Sequence, residues 1–438
     1  MRPAKRPPPD RVAADRVAAE RAVEVTIGAV GARGDGLAEL DGTRLFVPLT
    51  VPGDRVRVRP GESRGDGVRA ELLEVLEPGP GRGTPACRHF GTCGGCTLQH
   101  LDDAAYAAWK LEAVHAALAR AGLEGVPVAP LARTAPGGRR RARFAALKRG
   151  KRVWLGFNER ASHRLVDLEV CPVLAPRLAA LLPPLRAALA AVLPDGGACD
   201  VVAADPEGGI DLLLVGPRRL ARAARERLTA LGAEHGIARL SWQPDDRGVP
   251  EPVAHLRPVT VRFAGVPVVP PPGGFLQASA AGEAALTAAV LDAVGDGARR
   301  VADLFAGIGT FAIPLAQRSS VHAVEGDGAA VAALARAAGG LRLTTERRDL
   351  FANPLTAKEL ARFDAVVFDP PRAGAAAQAA ELAAGKVPLV VAVSCNPATF
   401  ARDARTLADG GYALRRVYPV DQFLWSAHLE LVGVFARR

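Results

Sequence analysis

A thiol at the end of an apolar run is the most reactive feature of this sequence. The stretch VVAVSCNPATFARD, Val390 to Asp403, begins with Val390 to Val393 and then presents Ser394, Cys395, Asn396 and Pro397. The run reads as a buried strand. The polar cluster ending in Pro397 marks where strand gives way to loop or helix. A thiol at the C-terminal end of a strand in an open α/β sheet stands where such sheets bind ligands. A lone cysteine is more often inert packing, because free Cys is among the most buried residue types. Here the neighbouring residues reverse that balance.

Two further groups could do chemistry. Cys87, Cys93 and Cys96 form C-x5-C-x2-C on a Gly-rich loop, and three thiolates so spaced can converge on one metal centre. His89, His100 and Cys171 are candidates for a fourth ligand, Cys171 standing before Pro172 as cluster cysteines do. On spacing alone a structural zinc is the rival to an iron–sulfur cluster. Farther on, AGIGT places Gly307 and Gly309 where the backbone could approach a ligand, and Glu325 ends the next apolar run, where it could bind ribose hydroxyls. A lone G-x-G also fits NAD.

SCNPATFARD, DPPRAG (Asp369 to Gly374) and DLFAGIGTF (Asp303 to Phe311) together resemble the RNA uracil-5-methyltransferases that use S-adenosyl-L-methionine. The resemblance runs from about Val23 to the C-terminus. It is strongest to the branch with an N-terminal RNA-binding barrel and an iron–sulfur cluster. It implies a cofactor pocket containing Gln277, Phe305, Gly307, Thr310, Glu325, Asp349 and Asp369. It also implies a [4Fe-4S] cluster on Cys87, Cys93, Cys96 and Cys171. The implied nucleophile is Cys395, and the implied base is Glu430 in WSAHLELVGVF. The chemistry suits these types. Uracil C5 is a poor nucleophile until a thiolate adds to C6, which replaces one hard step by two easier ones. A base must then remove the C5 proton so that the thiol can leave. The target must also leave its RNA stack to reach the thiol. Glu430 alone would read as a strand-edge charge, but an idle carboxylate inside an apolar strand is costly. One departure is Ser279 in FLQAS, where the family often has Asn; a direct contact from that position is in doubt, whereas Gln277 is retained.

The elements that must position these residues can be read in chain order. Residues 1–21 form a Pro-, Arg- and Ala-rich basic tail with no apolar core region, unlike a secretory signal. Residues 22–78 read as five short strands with tight turns, an OB-like barrel. Its GDGLAEL and VPLTVPGDRVRV segments resemble the TRAM domain. Arg55, Arg57, Arg59, Arg64 and Arg69 are expected to make it basic. Residues 86–255 read as a central α+β domain, with a helix from Asp103 to Ala121 and a strand pair turning at Lys148–Gly150. That pair interleaves Arg139, Arg140, Arg141, Arg143, Lys148, Arg149, Lys151 and Arg152 with Phe144, Trp154 and Phe157, a pattern suited to single-stranded or loop RNA. From 259 to 438 strands alternate with helices, which predicts a doubly wound, Rossmann-like α/β sheet.

Length and composition fit this plan. The 438 residues suggest two or three domains, and a formal charge of +10 is consistent with a polyanionic partner. No long uncharged apolar stretch predicts a membrane span. Three of the six cysteines cluster, which in a cytoplasmic protein suggests metal rather than disulfides. The expectation is a cytoplasmic monomer without an obligatory protein partner, methylating uracil C5 in RNA, rRNA ahead of tRNA. Adenine-N6 methylation would want Asn-Pro-Pro-aromatic where DPPR stands, and DNA cytosine-5 methylation uses a Pro-Cys loop where the order here is Cys-Asn-Pro. A non-catalytic ribosome-assembly factor is the remaining alternative, and intact Cys395, Glu430, Gln277 and Asp369 argue against it.

Overall fold

The computed structural model describes residues 22–437 apart from 218, 246 and 247. The expected basic tail, 1–21, lies outside the described residues. The chain divides into two compact units: one comprises residues up to 91 with 96–109 and 425–427, the other 92–95, 110–424 and 428 onward. The segments expected as separate central and catalytic domains thus fall largely within one unit.

In the first unit, six strands form one sheet, and alternation along them buries Val25, Ile27, Ala38, Leu45, Val47, Val56, Val58 and Ala70 on one side. The expected first strand is broken at Gly28. Its first part, Val23–Thr26, pairs with Arg55–Arg64, and its second, Ala29–Val30, pairs with Gly36–Leu40. The two halves therefore hold opposite ends of the sheet. The arginine row meets acidic partners across the strands: Arg55 binds Glu77 at 2.5 Å, Arg57 binds Glu74 at 2.7 Å and Arg59 binds Glu71 at 2.8 Å. Such exposed pairs contribute little stability, but they offset the basic surface expected from Arg55, Arg57 and Arg59.

The second unit holds two large sheets. The first has seven strands, ordered Leu165–Asp167, Arg152–Asn158, Arg141–Arg149, Ala198–Ala204, Ile210–Gly216, Ile237–Pro244 and Glu251–His255. Helices Pro176–Val192 and Arg222–Glu234 contribute Leu185, Leu189, Leu228 and Leu231 to its core. Strand periodicity explains one difference from expectation. Phe144 shares a face with Ala142 and Ala146, all three buried in that core, so Phe144 packs on Phe157 with ring centroids 5.1 Å apart and is not a stacking platform for RNA.

The second sheet has eight strands. Its order is Leu343–Arg347, Ser320–Glu325, Arg300–Leu304, Ala365–Phe368, Leu389–Ser394, Glu430–Arg437, Tyr412–Asp421 and the short Ala132–Arg133. The first five are mutually parallel, and Glu430–Arg437 runs antiparallel between Leu389–Ser394 and Tyr412–Asp421. This is the doubly wound α/β sheet read from the sequence. Arg300–Leu304 has one sequence-later strand on each side, so the order reverses there, and ligands bind outside the carboxyl ends of strands at such a point. Among the described residues no helix is long and apolar enough to cross a membrane.

Candidate active site

The carboxyl edge of the eight-stranded sheet collects the residues singled out in the sequence. Phe305 follows Leu304, Glu325 ends its strand, and Asp349 follows Arg347 by two residues. Asp369 follows Phe368 and Cys395 follows Ser394. Glu430 begins the antiparallel strand, and the register pairs Ser394 with Leu431, so Glu430 starts at the edge where Cys395 ends. Gln277 enters from the loop before helix Ala280–Val294. Ser279 caps that helix, its Oγ accepting from Gly282 N at 2.9 Å, which gives the departure at this position a local role.

On the cofactor side, the loop after Leu304 is bent by positive φ at Phe305 (61°), Gly307 (55°) and Gly309 (101°). A Cβ on Gly309 would approach Leu334 to 2.5 Å, whereas nothing lies within 4 Å of one built on Gly307, leaving that backbone open to a ligand. Glu325 is held by two amides, from Gly307 at 3.0 Å and Asp327 at 2.8 Å, one on each carboxylate oxygen. Each oxygen keeps accepting capacity for a hydroxyl. Thr310 is half-buried in the turn that follows. Asp349 accepts from Phe351 N at 2.9 Å. Phe351, which the sequence reading did not single out, is 51 % exposed and lies 5.3 Å from Phe305, centroid to centroid. Its signal was the Asp-Leu-Phe turn after a strand. Beneath the loop, burial raises the Asp303 carboxyl well above the usual range, and the charges of Asp369 and Glu325 add to this.

On the reacting side, four side chains form one hydrogen-bonded chain. Gln277 Nε2 donates to Asp369 at 3.3 Å, and Gln422 Nε2 donates both to Gln277 Oε1 at 2.6 Å and to Glu430 Oε1 at 3.0 Å. Desolvation raises the pKa of both carboxyls, and for Glu430 the neighbouring Asp369 charge raises it further while Gln422 and Arg372 oppose. The half-buried Cys395 thiol is pushed up to about 11, by burial first and then by Glu430 and Asp369, with Arg372 opposing. Cys395 also stands just before Asn396, which caps helix Pro397–Asp409 by accepting from Ala398 N at 3.0 Å. The positive end of a helix favours thiolate.

Two more groups brace this region. Arg372 donates to His428 Nε2 at 3.1 Å; burial and the charges of Arg372, Lys110 and Arg139 push His428 down to about 4, so its ring is a neutral acceptor. Lys110 and Asp421 form a fully buried ion pair at 3.0 Å, and the same ammonium bonds the carbonyl of His428. One lysine thus holds both ends of the segment between Asp421 and Glu430. Neither its helix nor its spacing marked it in the sequence.

The basic stretch of the seven-stranded sheet is only partly available for RNA. Arg140 pairs with Glu283 at 2.5 Å and donates to the carbonyl of Gln277 at 3.2 Å, bracing the loop before helix Ala280–Val294. Lys148 bonds the carbonyl of Leu193 at 2.8 Å, at the end of helix Pro176–Val192. By contrast, Arg141 lies over the exposed ring of Phe275 at 4.9 Å, and Arg152 lies over Trp154 at 4.9 Å.

Among the described residues no three His, Cys, Asp or Glu side chains are grouped so that they could hold a metal ion. Cys87 and Cys96 belong to the first unit, and Cys93 and Cys171 to the second. All four are half-buried. Cys87 N donates to Gln99 Oε1 at 3.0 Å, Cys93 Sγ accepts from Gly95 N at 3.4 Å, and Cys93 and Cys171 both pack against the core of the seven-stranded sheet.

Comparison with known proteins agrees with this geometry. The sequence profile of the tRNA (uracil-5-)-methyltransferases matches residues 345–438, which contain Asp369, Cys395 and Glu430. An uncharacterized RNA methyltransferase of Brucella suis is 49% identical over 94% of this chain and 98% of its own length. The 23S rRNA (uracil(1939)-C(5))-methyltransferase of Halomonas elongata is 37% identical over 93% of this chain and 88% of its own. The crystal structure of Pyrococcus abyssi tRNA (uracil-54, C5)-methyltransferase with S-adenosyl-L-homocysteine shares the fold, with a TM-score of 0.71 and 23% identity over 94% of this chain and 100% of that one. With the carboxyl-edge site and full-length relatives in agreement, the chain belongs to the RNA (uracil-5-)methyltransferase family.

Proposed function

We propose that this protein methylates C5 of a uridine in 23S rRNA, with S-adenosyl-L-methionine as methyl donor and Cys395 as covalent nucleophile. The observation that carries the reading is the register pairing Ser394 with Leu431, which puts a thiol and a desolvated carboxyl on one sheet edge beside Gln277 and Asp369. The resemblance of the whole chain to the Halomonas elongata 23S rRNA enzyme favours rRNA over tRNA.

Bound in this site, S-adenosyl-L-methionine supplies an electrophilic methyl group. Phe305, Gly307, Thr310, Glu325, Asp349 and Gln277 would hold it, Glu325 through the ribose. The Cys395 thiolate forms a bond to uracil C6, and the C5–C6 π electrons move toward O4. Arg372 and the helix at Pro397 favour the thiolate against the burial that disfavours it. C5 would then take the methyl group as the sulfonium–methyl bond breaks, its electron pair staying on the sulfur of the departing S-adenosyl-L-homocysteine, and holding the reactants in line is the main contribution of the surrounding side chains. Glu430 removes the C5 proton, the electron pair re-forms the C5–C6 double bond, and the Cys395–C6 bond breaks. Asp369, bonded to Gln277, orients this end of the site.

Two further parts belong to the proposal. The six-stranded sheet, held at both ends by the halves of one strand, is read as a TRAM-type barrel that contacts RNA, and the strands bearing Arg141 and Arg152 are read as a second RNA contact. Cys87, Cys93, Cys96 and Cys171 are read as ligands of a [4Fe-4S] cluster on the support of their spacing and of the family resemblance, and no step of the reaction depends on it. Iron and acid-labile sulfide in anaerobically purified protein test the cluster. Labelled S-adenosyl-L-methionine with unmodified 23S rRNA and, separately, tRNA tests the reaction. 5-Methyluridine in rRNA alone is expected. Label in tRNA alone would move the substrate to tRNA, and label in neither would favour a non-catalytic role in ribosome assembly.

A further inference from the structure

Gln422 has no role in the sequence reading, yet its side chain joins the two halves of the site. Asp369 accepts from Gln277 Nε2, and Gln277 Oε1 faces Gln422. Glu430 takes the other hydrogen of Gln422 Nε2. Both amides turn a nitrogen toward a carboxyl, and the buried Gln422 Oε1 is left without a hydrogen-bond partner among the described residues. Gln422, Gln277 and Glu430 are 2%, 3% and 4% exposed, so these bonds lie in desolvated surroundings, where a hydrogen bond to a charge is strongest.

The position of Gln422 is itself fixed. It directly follows Asp421, which Lys110 holds. Its Cβ packs where helix Ala280–Val294 has Gly282; a side chain there would come within 2.5 Å of it. A flipped amide would set its oxygen against Gln277 Oε1 and lose that bond.

We propose that Gln422 is a positioning residue for proton transfer: its amide holds the Glu430 carboxylate in register with Gln277 and Asp369. The inference rests on the reading of Glu430 as the base. Around Glu430, Asp369 disfavours the ionised form and Arg372 favours it. The Cys395 thiol faces it, His428 is neutral, and the Lys110–Asp421 pair at the end of the neighbouring strand is balanced. Removing the Gln422 donor leaves Arg372 alone against burial and Asp369. The base then ionises at higher pH and loses its orientation.

The test compares wild type with Gln422→Met and Gln422→Glu, both close in volume, and with Glu430→Gln as reference. Full-length protein is mixed with labelled S-adenosyl-L-methionine and substrate RNA, and the labelled protein–RNA adduct is followed on denaturing gels. In both Gln422 variants the adduct is expected to form and then to resolve about 10- to 100-fold more slowly, the range for a lost hydrogen bond to a charge. KM for S-adenosyl-L-methionine should stay within about twofold of wild type, as for an interaction made mainly after binding. The acidic limb of the kcat profile should move to higher pH, further for Glu than for Met. Wild-type adduct decay and pH profile in the Gln422 variants, with Glu430→Gln trapping the adduct, would overturn the positioning role and leave the base intact. Failure of Glu430→Gln to trap the adduct would overturn the base assignment and this inference with it. Variants that fold but form no adduct would place Gln422 at an earlier step and also overturn it.

Discussion

Ser394 and Leu431 are cross-strand partners, and that one register fixes which residues meet at the reacting edge. A slip of one residue would send Glu430 to the other face of the sheet, because side chains alternate along a strand. Cys395→Ala is therefore expected to abolish formation of 5-methyluridine and of any protein–RNA adduct. Glu430→Gln should lower kcat by about 10²- to 10⁴-fold while an adduct accumulates, the usual range for loss of a positioned base. Denaturing gels of protein mixed with RNA separate these outcomes.

The Cys395 thiol sits near 11 in the unliganded site, mainly through burial and then through Glu430 and Asp369. Its thiolate fraction should rise about tenfold per pH unit below that value, since protonation is a simple binding equilibrium. Alkylation by iodoacetamide, followed by mass spectrometry at Cys395, is expected to be slow at neutral pH and to climb with pH. Asp369→Asn removes a raising charge and should speed alkylation at a fixed pH. Unchanged rates in that variant would show that the charge does not reach the thiol.

Lys110→Met should be strongly destabilising, because it leaves the Asp421 charge buried without its ammonium. Losses of about 3–5 kcal/mol are typical when one partner of a buried pair is removed. Adding Asp421→Asn should recover part of that loss. Urea unfolding of the single and double variants measures the difference.

His428 gives a stability limb in acid. Its folded-state value, about 4, lies below the ordinary 6.5, so the unfolded chain binds the proton more readily. Stability from this group is present above about 6.5 and is lost as pH falls through about 4. Thermal midpoints across that window should fall toward acid, and His428→Gln should flatten the fall.

Much of this site was legible before any coordinates. Cys395, Asp369, Glu325 and Gln277 stood in short motifs at the ends of apolar runs, and period-two and βα alternation suffices to put such ends on one edge. Gln422 and Lys110 were not legible, because their partners are 145 and 311 residues away in sequence and only the folded register brings them together. Phe144 misled for the opposite reason. An aromatic among arginines looks like an RNA platform, but strict alternation sends it to the face opposite Arg141 and Arg143. Ser279 looked like a weakened cofactor contact and turned out to close a helix end.

The arginine–glutamate rungs on the N-terminal sheet bear on the proposed contact of that sheet with RNA. A phosphate that takes Arg55, Arg57 or Arg59 must displace Glu77, Glu74 or Glu71 from the guanidinium, so the pair's net charge toward the RNA is zero. Counterion release counts only phosphates newly neutralised by cations, and it sets how steeply nucleic-acid affinity falls with salt. The slope of log affinity against log salt should therefore be shallower than the arginines of that sheet alone suggest, and charge reversal at Glu71 or Glu74 should steepen it.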